Sequence, residues 1–152
     1  MYRALVYTTN IAGAIIGHFA GDFAAQTDWM AINKQKRTAK GRRALAAHGL
    51  AYGLAQGLCK AAALRAAGLR VPVRAQLAGQ AAETLLHVLI DDGRLLRRFA
   101  YATGSGAFHE LAPDCPSGGR ALLDQGAHHW AQLPIGTTIT AVLADRLMRP
   151  AA

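Results

Sequence analysis

Three apolar stretches of this chain each carry an imidazole and a carboxylate four residues apart: His18 and Asp22, His87 and Asp91, and in reversed order Asp124 and His128. On an α-helix, residues at that spacing stack on one face about a turn apart, so each pair presents both groups to the same neighbour. A fourth apolar stretch contributes His48 alone. Whatever fold forms has to satisfy these carboxylates and imidazoles inside otherwise apolar helices.

The stretches run from about Ala4 to Ala25, Ala44 to Ala67, Val73 to Ile90 and Ala121 to Leu143. All are rich in Ala and Leu and lack alternating β-branched runs, so each is expected to be helical. The length of 152 residues suits a single domain covering residues 1–152. The expected fold is all-α, a four-helix antiparallel bundle that crosses a membrane, with helices over about 4–30, 43–67, 73–99 and 120–147. Gly13, Gly17 and Gly21 form a small-residue series that permits close helix approach. Pro72 marks a turn, and residues 102–119, rich in Gly, Pro and Ser, read as a long irregular loop.

In such an up-down-up-down bundle the polar residues share one level. His18 and Asp22 close the first helix, His48 opens the second, His87 and Asp91 close the third, and Asp124 and His128 open the fourth. A carboxylate within an apolar span costs about 2.5–3.5 kcal/mol, so three of them call for protons, counter-ions or a metal. A divalent cation satisfies imidazole nitrogens and carboxylate oxygens together. His18, Asp22, His48, His87, Asp91, Asp124 and His128 are therefore the expected ligands of one or two divalent ions, zinc or another transition metal. Asp22, Asp91 and Asp124 are the candidates for catalytic work. Gln26 and Gln125 are placed to orient ligands. The other reading of these groups is a buried polar network that only fixes helix register.

Hydrophobic residues make up 52% of the chain and charged residues only 17%, which favours buried or lipid-facing helices. The net charge of +8 is concentrated in Lys34, Lys36, Arg37, Lys40, Arg42 and Arg43, with no acid among them. Ten Lys or Arg fall on the side of the first and third connections and six on the other. That bias predicts an inner or plasma membrane location with the basic loops cytoplasmic. A soluble bundle with a solvated basic loop is the alternative. Cys59 and Cys115 suggest neither a disulfide framework nor a zinc knuckle, and no removable signal peptide is expected.

The blocks GHFAGDFAAQTDWMAINK (Gly17 to Lys34), His48 with Tyr52, HVLID (His87 to Asp91) and LDQGAHH (Leu123 to His129) resemble, in order, a bacterial and phage family catalogued as domain of unknown function 3307. The resemblance implies a membrane-associated helical bundle and groups His18, Asp22, Gln26, His48, His87, Asp91, Asp124, Gln125 and His128 as one site. It implies no activity. A looser likeness, in polar residues only, is to inner-membrane metal-dependent hydrolases.

Three functions follow from these readings. The first is a membrane-embedded metal-dependent hydrolase acting on a phosphate- or acyl-containing substrate, with lipid or an anionic small molecule as partner. The second is a non-enzymatic accessory or metal-handling protein whose His/Asp site is structural. A soluble nucleic-acid-binding protein using Lys34 to Arg43 ranks last, because aromatic residues are only 7% and stacking platforms are scarce.

Overall fold

The computed structural model describes residues 1–112, 115 and 117–149. Pro113, Asp114 and Pro116, within the expected irregular loop, and residues 150–152 lie outside the described residues. The described chain is helical, with no strand. Helix α1 (Tyr2–Phe19) runs into a π-helical turn, Ala20–Ala24, and short α2 (Asp28–Asn33) follows. The long α3 (Ala39–Ala66) and α4 (Val73–Asp91) come next. Short α5 (Arg94–Ala102) and α6 (Gly106–His109) then lead to α7 (Gly119–Ala127), a second π-helical turn (His128–Gln132) and α8 (Leu133–Met148).

Local chemistry accounts for the breaks. Thr27 and Thr38 cap α2 and α3 by accepting hydrogen bonds from the Met30 and Gly41 amides. The expected third helix, over about 73–99, is two helices, because Gly93 adopts a left-handed φ of 75° between α4 and α5. The expected first helix, over about 4–30, likewise stops at its π-helical turn, and α2 starts anew from the Thr27 cap. Pro134 lies in the first turn of α8 and has no N–H to give to the carbonyl four residues back. The π-helical turn sits directly before it.

The long helices pack in a ring, α1 against α3 and α8, and α4 against α3 and α8. The Tyr2 hydroxyl donates to the Arg70 carbonyl at 2.6 Å, so the start of α1 lies beside the end of α3. Asn10 on α1 meets Thr137 on α8, and His48 on α3 meets His87 on α4, so neighbours run antiparallel. At the end holding the start of α1, the core is apolar, built from Val6, Leu64, Val71, Ala75, Ala141 and Ala144.

Away from that end the interior turns polar. Along α3 the buried stripe reads His48, Tyr52, Gln56, Lys60, Leu64, and along α4 it reads Ala75, Gly79, Glu83, His87, Asp91. The outward stripes are the apolar ones: Leu50, Leu54 and Leu58 of α3 are 69%, 71% and 73% exposed, and Val73, Leu77, Leu85 and Leu89 of α4 are exposed too. The usual polarity of a helical bundle is therefore inverted over much of the surface. Even so, no described helix is long and apolar enough to cross a membrane, contrary to the expected transmembrane helices. The reason lies in the same stripes: the inward residues that carry the polar groups dilute each helix's apolar character.

The small-residue series fixes the α1–α3 contact. A Cβ built on Gly17 would lie 2.6 Å from the Gln56 Cα, and one on Gly21 would lie 2.7 Å from the Tyr52 ring. The Gly17 neighbour is backbone and cannot rotate away. Gly17→Ala is expected to destabilise the fold by about 1–3 kcal/mol, the range for overpacking, despite alanine's better helix propensity. Chemical denaturation of the purified variant checks this; an unchanged or raised stability would show that the helices separate freely here.

Candidate metal centre

All seven expected ligands meet at the end of the bundle away from the apolar core. The Asp22 Oδ1, His48 Nε2, His87 Nε2 and Asp91 Oδ2 atoms converge from α1's π-helical turn, α3 and α4. His48 Nε2 is 3.1 Å from Asp22 Oδ1, 2.9 Å from Asp91 Oδ2 and 2.9 Å from His87 Nε2. His87 Nε2 is 3.2 Å from Asp91 Oδ2 and 3.7 Å from Asp22 Oδ1. A second group shares Asp91: its Oδ1 lies 3.7 Å from His128 Nε2, which lies 3.5 Å from Asp124 Oδ2. Both groups, and a third made of His18, His87 and His128, could hold a metal ion. His18, His48, His87 and His128 are fully buried, whereas the Asp124 side chain keeps 18% exposure at the rim.

An outer layer orients the rings. Gln132 Oε1, an acceptor, contacts Nδ1 of both His87 and His128. Each ring therefore carries a proton on Nδ1 and turns its Nε2 toward the cluster. The Gln132 amide donates to the Tyr52 hydroxyl at 2.6 Å, and the Tyr52 ring stacks on His87 with centroids 3.5 Å apart. Asp22 is held from behind: Gln125 donates to its Oδ2 at 2.9 Å and accepts at 3.0 Å from His18 Nε2. His18 Nδ1 meets the Tyr52 hydroxyl at 3.3 Å. His18 thus has both ring nitrogens engaged by this outer layer while remaining within reach of His87 and His128.

Electrostatics follow from this crowding. Burial works against charge on Asp22 and Asp91, yet His48 bonds to both, His87 and His128 also bond to Asp91, and both carboxyls end well below the ordinary range. Burial equally opposes charge on His128, but Asp124 and Asp91 carry it up to about 10. His48 is raised by Asp22 and Asp91 against the same burial. Burial dominates at His18, which falls to about 4, and at His87, which is also lowered. The cluster is thus a set of ionised acids demanding positive charge.

Part of that charge comes from an unexpected place. Lys34, read from the sequence as part of the basic surface, turns its Nζ inward to 3.0 Å from Asp91 Oδ2, 3.2 Å from His48 Nε2 and 3.9 Å from Asp22 Oδ1. Arg37 pairs with Asp92, and Lys36 donates to Asn33 Oδ1, while Lys40, Arg42 and Arg43 are exposed. Gln26 makes no hydrogen bond to the cluster, and its Oε1 is without a partner among the described residues. His129 bonds the Gln125 carbonyl through Nδ1, and His109 pairs with Glu110 away from the cluster.

Sequence reasoning missed Gln132 and the inward Lys34. Gln132 lies four residues beyond His128, the same spacing that marked the ligand pairs, and that was its available signal. Both π-helical turns fall in this cluster, one carrying Asp22 and the other running from His128 to Gln132. Such turns concentrate at functional sites. No family model matches the chain, and no curated protein or solved structure matches it either.

Proposed function

We propose that this chain is a membrane-associated hydrolase dependent on a divalent transition metal, zinc being the best fit. One observation carries this reading: four donor atoms, Asp22 Oδ1, His48 Nε2, His87 Nε2 and Asp91 Oδ2, with five of their separations spanning 2.9–3.7 Å. Donors placed tetrahedrally at zinc bond lengths stand about 3.3 Å apart. The imidazole and carboxylate set suits zinc, and the Gln132 contacts supply the outer support such rings require.

The two groups differ in a way that suits chemistry. The first offers four protein donors, the pattern of a closed structural site, whereas Asp91, Asp124 and His128 offer three at a partly exposed rim, the pattern of a site open to substrate. Asp91, Asp124 and His128 would hold an ion there, and the chemistry it would supply is a lowered pKa for bound water and polarisation of a phosphoryl or acyl oxygen. Asp124, the partly exposed carboxylate, would hold that ion through Oδ2, the oxygen 3.5 Å from His128 Nε2, and its other oxygen would accept the proton that water gives up. In the overall reaction the water oxygen joins the phosphorus or acyl carbon, and the leaving oxygen takes a proton.

Membrane association is supported by the outward leucines of α3 and α4 and by α5, where Arg94, Arg97 and Arg98 accompany exposed Leu95 and Phe99. A short basic amphipathic helix of this kind lies in a lipid interface. The resemblance to domain of unknown function 3307 fits the same setting. The four-donor group also favours a second reading, a non-enzymatic metal-handling or accessory protein.

One experiment separates these. Detergent-purified protein is loaded with zinc and assayed on nitrophenyl phosphate and nitrophenyl ester substrates beside Asp124→Asn. The hydrolase reading expects turnover that falls by at least a hundredfold in the variant, with zinc retained at the four-donor group. Bound zinc without turnover on any substrate favours the metal-handling reading; folded protein that takes up no metal overturns both.

A further inference from the structure

Directly outside the metal cluster lies a cleft of about 450 Å³ whose lining the hydrolase reading leaves unassigned. Its polar wall is Lys34, Lys36, Arg37, Arg42 and Arg94, with Asp92 as the one acid. Asp92 does not cancel this charge so much as fix it. It pairs with Arg37 on one side and takes the Arg94 Nε at 2.5 Å on the other, while its carbonyl accepts from Arg37 Nη2 at 2.7 Å. Lys36 is held by Asn33 Oδ1 at 3.1 Å. With Lys34 paired to Asp91 and one guanidinium offset by Asp92, the remaining cations still leave a net positive excess in a concave site built from the α2–α3 connection, α3, α4 and the start of α5. The rest of the lining is apolar: Leu45, Val88 and Leu89.

Lys34 belongs to both places. It lines the cleft, and its ammonium reaches Asp91 Oδ2 at 3.0 Å within the cluster. A ligand anion that fills the cleft therefore sits against the side chain that touches the metal-binding carboxylates. The wall chemistry narrows the anion. Guanidinium forks and ammonium groups together suit the several oxygens of a phosphate better than a single carboxylate. A dianion also matches the excess charge more closely than a monoanion. The Leu45, Val88 and Leu89 wall has no use for inorganic phosphate and no surface to stack bases, but it covers an apolar chain.

We propose that this cleft binds the phosphate of a monoester whose alcohol is apolar, against the face of the cluster that Lys34 touches. The binding stands without the hydrolase reading; that such a monoester is the substrate rests on that reading. Isothermal titration of octyl phosphate, inorganic phosphate and octanoate into the detergent-purified protein tests it, with and without zinc, beside Lys36→Gln/Arg42→Gln. Both substituted side chains are exposed, Lys36 giving up only its hydrogen bond to Asn33 Oδ1, and circular dichroism checks that the double variant keeps its fold. Octyl phosphate is expected to bind at least tenfold more tightly than either control and to lose at least tenfold in the double variant, whose zinc affinity stays unchanged. Octanoate binding as well as octyl phosphate, or a double variant that binds normally, overturns the proposal. Inorganic phosphate binding equally well overturns its apolar part. Failure of zinc uptake with octyl phosphate still bound would sink the hydrolase reading alone.

Discussion

Asp91→Ala is expected to weaken divalent-metal binding about a hundredfold or more at both groups of the cluster, the largest functional effect of any single substitution here. Asp91 is the one side chain that turns an oxygen into each: Oδ2 toward His48 and His87, Oδ1 toward His128. A structural zinc site is worth about 10–16 kcal/mol, so one of four ligands carries roughly 3 kcal/mol, a loss of about a hundredfold or more. Removing the shared ligand applies that loss twice. Gln132→Ala leaves all seven ligands in place but frees the Nδ1 atoms of His87 and His128, and an outer partner of this kind is worth about 10–100-fold in affinity. Competition titration against a chromophoric chelator reads both variants. Because Asp91 is buried against Lys34 and three imidazoles, Asp91→Asn serves as the isosteric control for folding. Undiminished affinity in a folded Asp91 variant would mean that the metal binds elsewhere.

The seven ligands could be grouped from spacing alone because each pair lies one turn apart near a helix end, and antiparallel connection brings those ends together. That inference needed only the order of the helices. Lys34 could not be read in the same way. It belongs to a run of six basic residues, and its inward direction is set by α2, a six-residue helix started by the Thr27 cap after α1 stops at its π-helical turn. The break at Gly93 escaped for a related reason: the apolar pattern continues through Leu95 and Leu96, and only the left-handed backbone separates α4 from α5. Membrane crossing was expected from the apolar stretches and the bias of basic residues between connections, neither of which distinguishes inward from outward faces. In the fold the polar residues take the inside and the leucines the outside, so the apolar surface is real although no described helix reaches the apolarity of a span.

The same inversion places a second ionic feature in mid-bundle, and Lys60→Met there should cause the largest loss of stability. Lys60 Nζ lies 2.7 Å from Glu83 Oε1, both side chains are buried, and Glu83 Oε2 has no partner among the described residues. Removing one member of a buried pair leaves the other uncompensated and costs about 3–5 kcal/mol. In a domain of this size each kcal/mol lowers Tm by roughly 2–4 °C, so a fall of about 10 °C is expected. Lys60→Met/Glu83→Leu, which removes both charges, should recover most of it. The pH dependence identifies the cause. Burial already pushes Glu83 up to about 7 against the pull of Lys60, and without Lys60 it rises further. A carboxyl raised in the fold above its unfolded value favours the folded state at low pH and loses that contribution as pH rises through the folded value. The single variant should therefore lie closest to wild type near pH 5, where Glu83 takes a proton, and fall furthest below it at pH 8. Asp22 and Asp91 make both proteins acid-sensitive alike, so they cancel in the difference. A deficit that does not change with pH would show that lost packing, not a stranded carboxylate, sets the cost.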